Sequence, residues 1–153
     1  SALAFAVFFS GASGSVLVGF GADRFGRTLT TSVAMLISGA CALFIRFLPV
    51  EWAVVIGLVA LVWGAAVIAD SAQFSTAITE LSEPQYRGTV LTFQTGLGFA
   101  LTAFTIWLVP EVADAWGWGV AWAVLAIGPA MGTFAMLRLR TLPESHRLAG
   151  GQR

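Results

Sequence analysis

Three polar side chains, Asp70, Gln73 and Glu80, are spaced so that a helix would place them on one stripe. Trp63 lies on the same face, two turns before Asp70. A carboxyl group in this apolar run can take part in proton coupling, which makes Asp70 the first candidate for chemistry. At the centre of a bilayer an aspartate costs about 2.5–3.5 kcal/mol and therefore needs a reason to be there. At about 1.5 Å per residue, however, Asp70 is about 27 Å from Trp52, near one edge of the hydrocarbon layer.

A second group of charged residues lies in a short loop that reads GFGADRFGR from Gly19 to Arg27. Gly26 permits the tight turn that a two-helix hairpin requires. Asp23 can accept hydrogen bonds from a helix N-terminus or from an arginine. Arg24 and Arg27 are expected at the level of the lipid headgroups, where arginines also set the topology. An ordinary charged turn is the alternative interpretation.

The composition predicts that lipid surrounds these residues. Of the 153 residues, 58% are hydrophobic and 10% are charged, whereas a soluble domain has about 25% charged residues. The formal net charge is zero, and the sequence has no basic tract that could contact a phosphate backbone. Nucleic acid is therefore excluded as a partner. His146 has no second histidine or cysteine nearby, and the sequence has no glycine-rich ATP-binding loop, so no metal and no cofactor are predicted.

The sequence predicts an all-α, polytopic transmembrane helix bundle over residues 1–140 and a polar cytoplasmic tail over 141–153. A bilayer core of about 30 Å needs about 20 mostly apolar residues in a helix. Pro129 is expected to kink the last span, because its ring removes a backbone donor. Five stretches meet the length requirement: residues 2–22, 28–48, 52–72, 89–110 and 117–138.

The arginines predict the orientation of these spans. If every span crosses, seven of the eight arginines fall on one side and only Arg46 falls on the other. This distribution places the two longer loops and the C-terminus in the cytoplasm. The sequence begins at Ser1 directly in an apolar run, so we expect a fragment of a longer chain.

The spacing G-x-x-x-D-R-x-G-R in a short loop between two spans resembles the signature loop of the major facilitator superfamily. The family usually continues with another basic residue, where this sequence has Thr28. The resemblance implies part of a twelve-helix transporter that works by alternating access. The five spans would be 8–12 or 2–6 of that fold, and 8–12 are favoured because the third span has no arginine and the fourth no internal proline. The fixed positions of the signature are Gly19, Asp23, Arg24, Gly26 and Arg27.

The same resemblance makes the third span one of the helices that line the central cavity. Trp63, Asp70 and Gln73 would then form a stripe from the cavity to its vestibule, and a polar helix end at the interface is the alternative. Gln94, two turns into the fourth span, is a candidate for the interface between the two halves.

Arg87 opens the fourth span at the end where the helix dipole is unfavourable to a cation. A carboxylate would offset this, and Asp23, Glu80 and Glu83 lie on the same predicted side of the membrane. We predict that Arg87 pairs with one of them in a cytoplasmic gate. An exposed pair is worth only about 0–1 kcal/mol, which suits a contact that must open.

These observations predict a secondary active transporter of a small solute, coupled to an ion or proton gradient, and not an enzyme. The expected partners are the lipid bilayer, the missing N-terminal half of the same chain and a small-molecule or ion substrate, whose identity a fold does not determine. The arginine-only basic composition suggests a bacterial inner membrane. The alternatives are a non-transporting membrane scaffold, which close helix packing would serve equally well, and a membrane-embedded enzyme.

Overall fold

A computed structural model describes residues 2–49 and 51–151, without the side chains of residues 2–4 and 8. The structure is 90% helix and has no strand in its described part. A stretch of 3-10 turns from Pro143 to Gly151, here called the C-terminal segment, follows the last helix. The α-helices are α1 (Ala2–Phe25), α2 (Arg27–Ile45), α3 (Ala53–Leu81), α4 (Arg87–Trp116), α5 (Trp118–Leu125) and α6 (Ile127–Thr141).

Five helical stretches in the described residues are long and apolar enough to cross a membrane. Four of them lie in α1 to α4, and the fifth, Trp118–Thr141, joins α5 and α6. The predicted all-helical chain with five apolar spans is therefore confirmed.

Two helices are longer than the spans predicted for them. The third span was expected over 52–72, but α3 continues to Leu81, and α4 continues through Pro110 to Trp116. Pro110 is thus internal to α4 instead of marking its end, as membrane helices allow when neighbouring groups compensate. An apolar run measures the hydrocarbon thickness, whereas the helix itself continues into the polar region beyond it.

The last span bends where the sequence predicts. Helix α5 ends at Leu125 and α6 begins at Ile127, so the break falls at Ala126, three residues before Pro129. Proline has no N–H for the carbonyl group four residues earlier, and its ring crowds that group. The helix is thus interrupted next to the proline at which the sequence predicts a kink, and this interruption is called the α5–α6 bend below.

The bundle buries small side chains and exposes large apolar ones. Ala22, Ala69 and Ala121 are fully buried, whereas Phe20 and Phe93 are 72% exposed. A protein surrounded by water places large apolar side chains inside, but in lipid the helices gain most from close approach at small residues. This distribution fits an integral membrane protein.

Helix α3 is central, with α1 and α2 packed along it and α6 packed on α2. The α1–α3 contact is close because Gly14 faces Ala65: a Cβ atom added to Gly14 would lie 2.8 Å from the Ala65 carbonyl oxygen. The Ser10 hydroxyl donates a hydrogen bond across the same contact to the carbonyl oxygen of Leu61, at 2.9 Å. Small residues therefore fix the position of α3, which carries most of the candidate site.

Candidate functional site

A buried arginine joins the first hairpin to the end of α3. The Arg27 side chain is 6% exposed and that of Glu80 is 25% exposed. Nε and Nη2 of Arg27 donate to the two carboxylate oxygens of Glu80 at 2.9 and 2.8 Å, and Nη1 donates to Oε1 of Gln73. Asp23 adds a longer ion pair, with its Oδ1 3.5 Å from Nη2 of Arg27. These four residues, Asp23, Arg27, Gln73 and Glu80, are called the Arg27 cluster below.

The tight turn at Gly26 brings the arginine into this position. Gly26 has φ 94° and ψ 140°, a conformation that favours glycine, and it separates α1 from α2. Arg27 is therefore the first residue of α2, and Asp23 lies in the last turn of α1, four residues earlier. Gly26 forms the tight turn and Asp23 pairs with an arginine, as the residue types predict. Arg27 is buried beside α3, where Glu80 and Gln73 satisfy its donors.

The C-terminal segment covers the same carboxylate. The backbone N–H of Ala149 donates to Oε2 of Glu80 at 3.1 Å. Leu148 and Ser145 are fully buried, and the segment contacts α2, α3 and α6. Ala149 has φ 47°, a left-handed conformation that is uncommon for alanine. Part of the predicted polar tail is therefore an ordered cover on the Arg27 cluster.

The structure corrects the predicted ion pair of Arg87. Arg87 is exposed at the start of α4 and forms no ion pair with the described residues, while Glu80 pairs with Arg27. Glu83 is also exposed and accepts a hydrogen bond from the Gln85 amide at 3.1 Å. The prediction relied on the helix dipole at Arg87, whereas the Glu80 carboxylate binds the guanidinium group of Arg27 instead. The sequence did single out Arg27, because this residue occupies a fixed position of the G-x-x-x-D-R-x-G-R spacing.

The other two signature residues lie at the edge of the cluster. A Cβ atom added to Gly19 would lie 4.0 Å from the Gln73 amide nitrogen, so α1 passes close to Gln73 here. The guanidinium group of Arg24 lies 5.6 Å from the centre of the Phe25 ring, a cation–π contact. Gly19 therefore belongs to the packing around the cluster, and Arg24 lies on its exposed side.

The predicted stripe on α3 divides into two environments. Gln73 belongs to the Arg27 cluster, whereas Trp63 and Asp70 line a pocket between α2, α3 and the α5–α6 bend. The Trp63 ring packs edge-on against Trp122 of α5, with ring centres 5.8 Å apart. Helical spacing correctly placed these residues on one side of α3, but it did not reveal that two neighbours meet different partners.

Gln94 lies in a cleft between α3 and α4. The Ser75 hydroxyl lies 3.4 Å from Oε1 of Gln94, and both residues line a space of about 390 Å³ with Ser71, Thr95 and Thr102. Helix α4 contacts the bundle chiefly through α5, and its buried residues are Val112 and Ala113 near its far end. The cleft therefore lies between α3 and residues 94–102 of α4, and its lining is uncharged, with Phe99 and Leu101 beside the polar residues.

The comparisons with known proteins add no relative. No family model matches the chain, and neither a curated protein nor a solved structure does so. The class that the fold defines is therefore an all-helical protein whose five apolar helices fit an integral membrane protein.

Proposed function

We propose that this chain is the C-terminal part of a secondary active transporter of the major facilitator type, comprising its spans 8–12. The observation that supports this proposal most is the Arg27 cluster. Arg27 of the signature loop joins the first hairpin to α3 through an ion pair with Glu80, and Asp23 of the same loop pairs with Arg27. The alternative is an ordinary charged turn, whose arginines serve only to set the topology. Such a turn would leave both arginines among the lipid headgroups and would not bury one of them.

The cluster has the properties of a gate in an alternating-access cycle. A buried pair with good geometry is stable while it is closed, but separating it leaves charges that need water or new partners. In the proposed cycle the hairpin and α3 therefore alternate between two arrangements. In one, Arg27 and Glu80 are paired, and in the other, water hydrates the separated charges. Alternating access requires a discrete change of this kind at one end of the bundle.

The exposure of α4 supports the remainder of the proposed transporter. The side of α4 that lines the cleft carries Gln94, Thr95 and Thr102, and such residues are common where membrane helices meet each other. In the proposed protein this face and the cleft beside it meet the N-terminal half of the same chain and the solute pathway. The lipid bilayer covers the large apolar side chains of α1 and α2.

The proposed orientation places the Arg27 cluster and the C-terminal segment on the cytoplasmic side. Arg24, Arg87 and Arg138 lie at the same end of the bundle as the cluster, because α1, α3 and α6 end there. A membrane with a positive-inside distribution keeps such an end in the cytoplasm. A bacterial inner membrane is the proposed location.

The proposal is tested by solute flux. The complete polypeptide carrying this chain is reconstituted in liposomes, with and without an imposed proton or sodium gradient. A panel of a sugar, an organic acid, an organic cation and an inorganic anion is offered. We expect saturable uptake of one solute class. We expect Glu80→Gln to reduce the uptake rate about tenfold, because this variant loses the ion pair with Arg27 that closes the proposed gate. A tenfold change in rate corresponds to ~1.4 kcal/mol in the barrier.

The matched control is Glu83→Gln, which removes the same charge from an exposed position outside the cluster. Its uptake rate is expected to equal that of the unmodified protein. Folded protein that moves no member of the panel contradicts the transporter proposal and favours the scaffold. Equal losses in both variants contradict the role given to the Arg27 cluster.

A further inference from the structure

A second polar site lies inside the bundle, away from the α3–α4 cleft. It is a pocket of about 250 Å³ between α2, α3 and the α5–α6 bend. Most of its wall is apolar, with Met35, Val67 and Leu125 among the lining residues. Two polar side chains, Ser38 of α2 and Asp70 of α3, also line it. The proposed gate uses neither of them.

In the described structure neither polar group has a hydrogen-bond partner on a neighbouring helix. Asp70 is 9% exposed, and the hydrogen bonds to its carboxylate come from its own neighbour Ser71, from the hydroxyl at 3.2 Å and from the backbone N–H. It forms no ion pair with the described residues. Ser38 is fully buried, and its hydroxyl oxygen has no hydrogen-bond partner in the described structure. Buried polar groups are almost always hydrogen-bonded, so two open groups in one pocket require an explanation.

The interruption of the last span frees the carbonyl oxygen of a residue that lines the pocket. Pro129 lines the pocket and has no N–H to donate to the Leu125 carbonyl four residues earlier. That carbonyl group therefore lacks its normal helical donor, and Leu125 lines the same pocket. Carbonyl groups released at broken membrane helices are common ligands of coupling ions.

No described charge on the pocket wall neutralises Asp70. The other lining residues, from α2, α3 and the α5–α6 bend, are uncharged. The charged group of α2 on this side is Arg27, whose donors already bind Glu80, Gln73 and Asp23. The space is also large enough for an ion with one or more waters, since a water occupies about 30 Å³. A positive charge bound to the carboxylate of Asp70 would neutralise this group and would also give the Ser38 hydroxyl a partner.

We propose that this pocket binds one monovalent positive charge, a proton or a sodium ion, on the carboxylate of Asp70, with Ser38 as its second ligand. The inference rests on the proposed function in one respect, because the bound charge would be the coupling ion of the transporter. The ion site, which faces α2 and α6, is then distinct from the proposed solute pathway beside α4.

Trp63 allows binding to be measured without transport. It lines the pocket and contacts Trp122, so occupation of the pocket is expected to change its fluorescence. The purified full-length protein in detergent is titrated with sodium chloride against choline chloride at fixed pH. In a second arm, sodium-free protein is titrated with acid. A saturable change in the first arm identifies sodium, and a saturable change in the second arm alone identifies the proton.

Four variants assign the signal. Trp63→Phe is expected to remove it, and Asp70→Asn is expected to abolish the saturable change. Ser38→Ala is expected to weaken the midpoint about tenfold, whereas Ser75→Ala, in the α3–α4 cleft, leaves it unchanged. If Asp70→Asn does not fold, as judged by gel filtration, the comparison of Ser38→Ala with Ser75→Ala still decides the result.

Absence of a saturable change in both arms overturns the inference, provided that a quencher confirms that Trp63 contributes to the emission. A change that survives in Asp70→Asn also overturns it. Flux in liposomes without binding in this pocket contradicts the ion site alone. Binding without flux of any solute contradicts the transporter and leaves the ion site standing.

Discussion

Replacing Arg27 by alanine is expected to lower the free energy of unfolding in detergent micelles by about 3 kcal/mol. Removing one member of a buried ion pair costs about 3–5 kcal/mol, because the partner charge stays buried without compensation. The lower end applies here because the Glu80 side chain is one-quarter exposed and water can reach part of it. Gln73 also loses the guanidinium group that donates to its side-chain oxygen.

The effect is measured by unfolding the protein in micelles with an increasing fraction of denaturing detergent. Arg87→Ala is the matched control, since Arg87 is exposed, and its effect should stay within about 0.5 kcal/mol. Arg27→Lys keeps the charge but loses the two-pronged geometry, so its loss should lie between these values. Additive effects of Arg27→Ala and Glu80→Ala in the double variant would contradict the pairing, because contacting residues are coupled.

Replacing Gly14 by alanine is expected to destabilise the bundle by about 1–3 kcal/mol, the usual cost of overpacking a close contact. The added methyl group would lie 2.8 Å from the Ala65 carbonyl oxygen and 3.0 Å from its Cα atom. These are backbone atoms of a central helix, so α1 must move away from α3. The Ser10–Leu61 hydrogen bond across the same contact should weaken with it.

Gly96→Ala provides the control for this substitution. Nothing lies within 4 Å of a Cβ atom at Gly96, so the helix gains the propensity of alanine without a clash. The difference between the two variants, in the same unfolding assay, isolates the steric term. Equal stabilities would show that α1 and α3 do not pack as closely as described.

The five spans could be predicted because the length of each apolar run is read directly from the sequence. About 20 apolar residues are needed to cross the hydrocarbon, and the five runs have that length. Gly26 and Pro129 act locally, so the hairpin turn and the kink could also be predicted from residue type. The ends of α3 and α4 could not, because the polar residues beyond the hydrocarbon continue the helix without an apolar signal.

The partners within the Arg27 cluster depend on helix positions that no local pattern contains. Glu80 was predicted on the same side of the membrane as seven of the eight arginines. Which arginine reaches Glu80 depends on how α1 and α2 pack against α3, including the close α1–α3 contact at Gly14. The cover formed by Leu148 and Ala149 was missed because a short polar tail carries no periodic signal that indicates docking.

Asp70 shows the same limit at a single residue. Its spacing placed it with Trp63, and both do line one pocket. The sequence did not show that this pocket is completed by residues of α2 and of the α5–α6 bend. A helix stripe identifies which residues share a face, but only the neighbouring helices determine what that face meets.

The membrane crossing itself is tested most directly by labelling single cysteines in sealed vesicles of known orientation. Cys41 is first replaced by alanine, and Arg24→Cys, Arg87→Cys and Glu51→Cys are then treated separately with a membrane-impermeant maleimide. We expect Arg24→Cys and Arg87→Cys to react from the cytoplasmic face and Glu51→Cys, in the link between α2 and α3, to react from the other face. Reaction of Arg24→Cys and Arg87→Cys from opposite faces would contradict the five-crossing bundle.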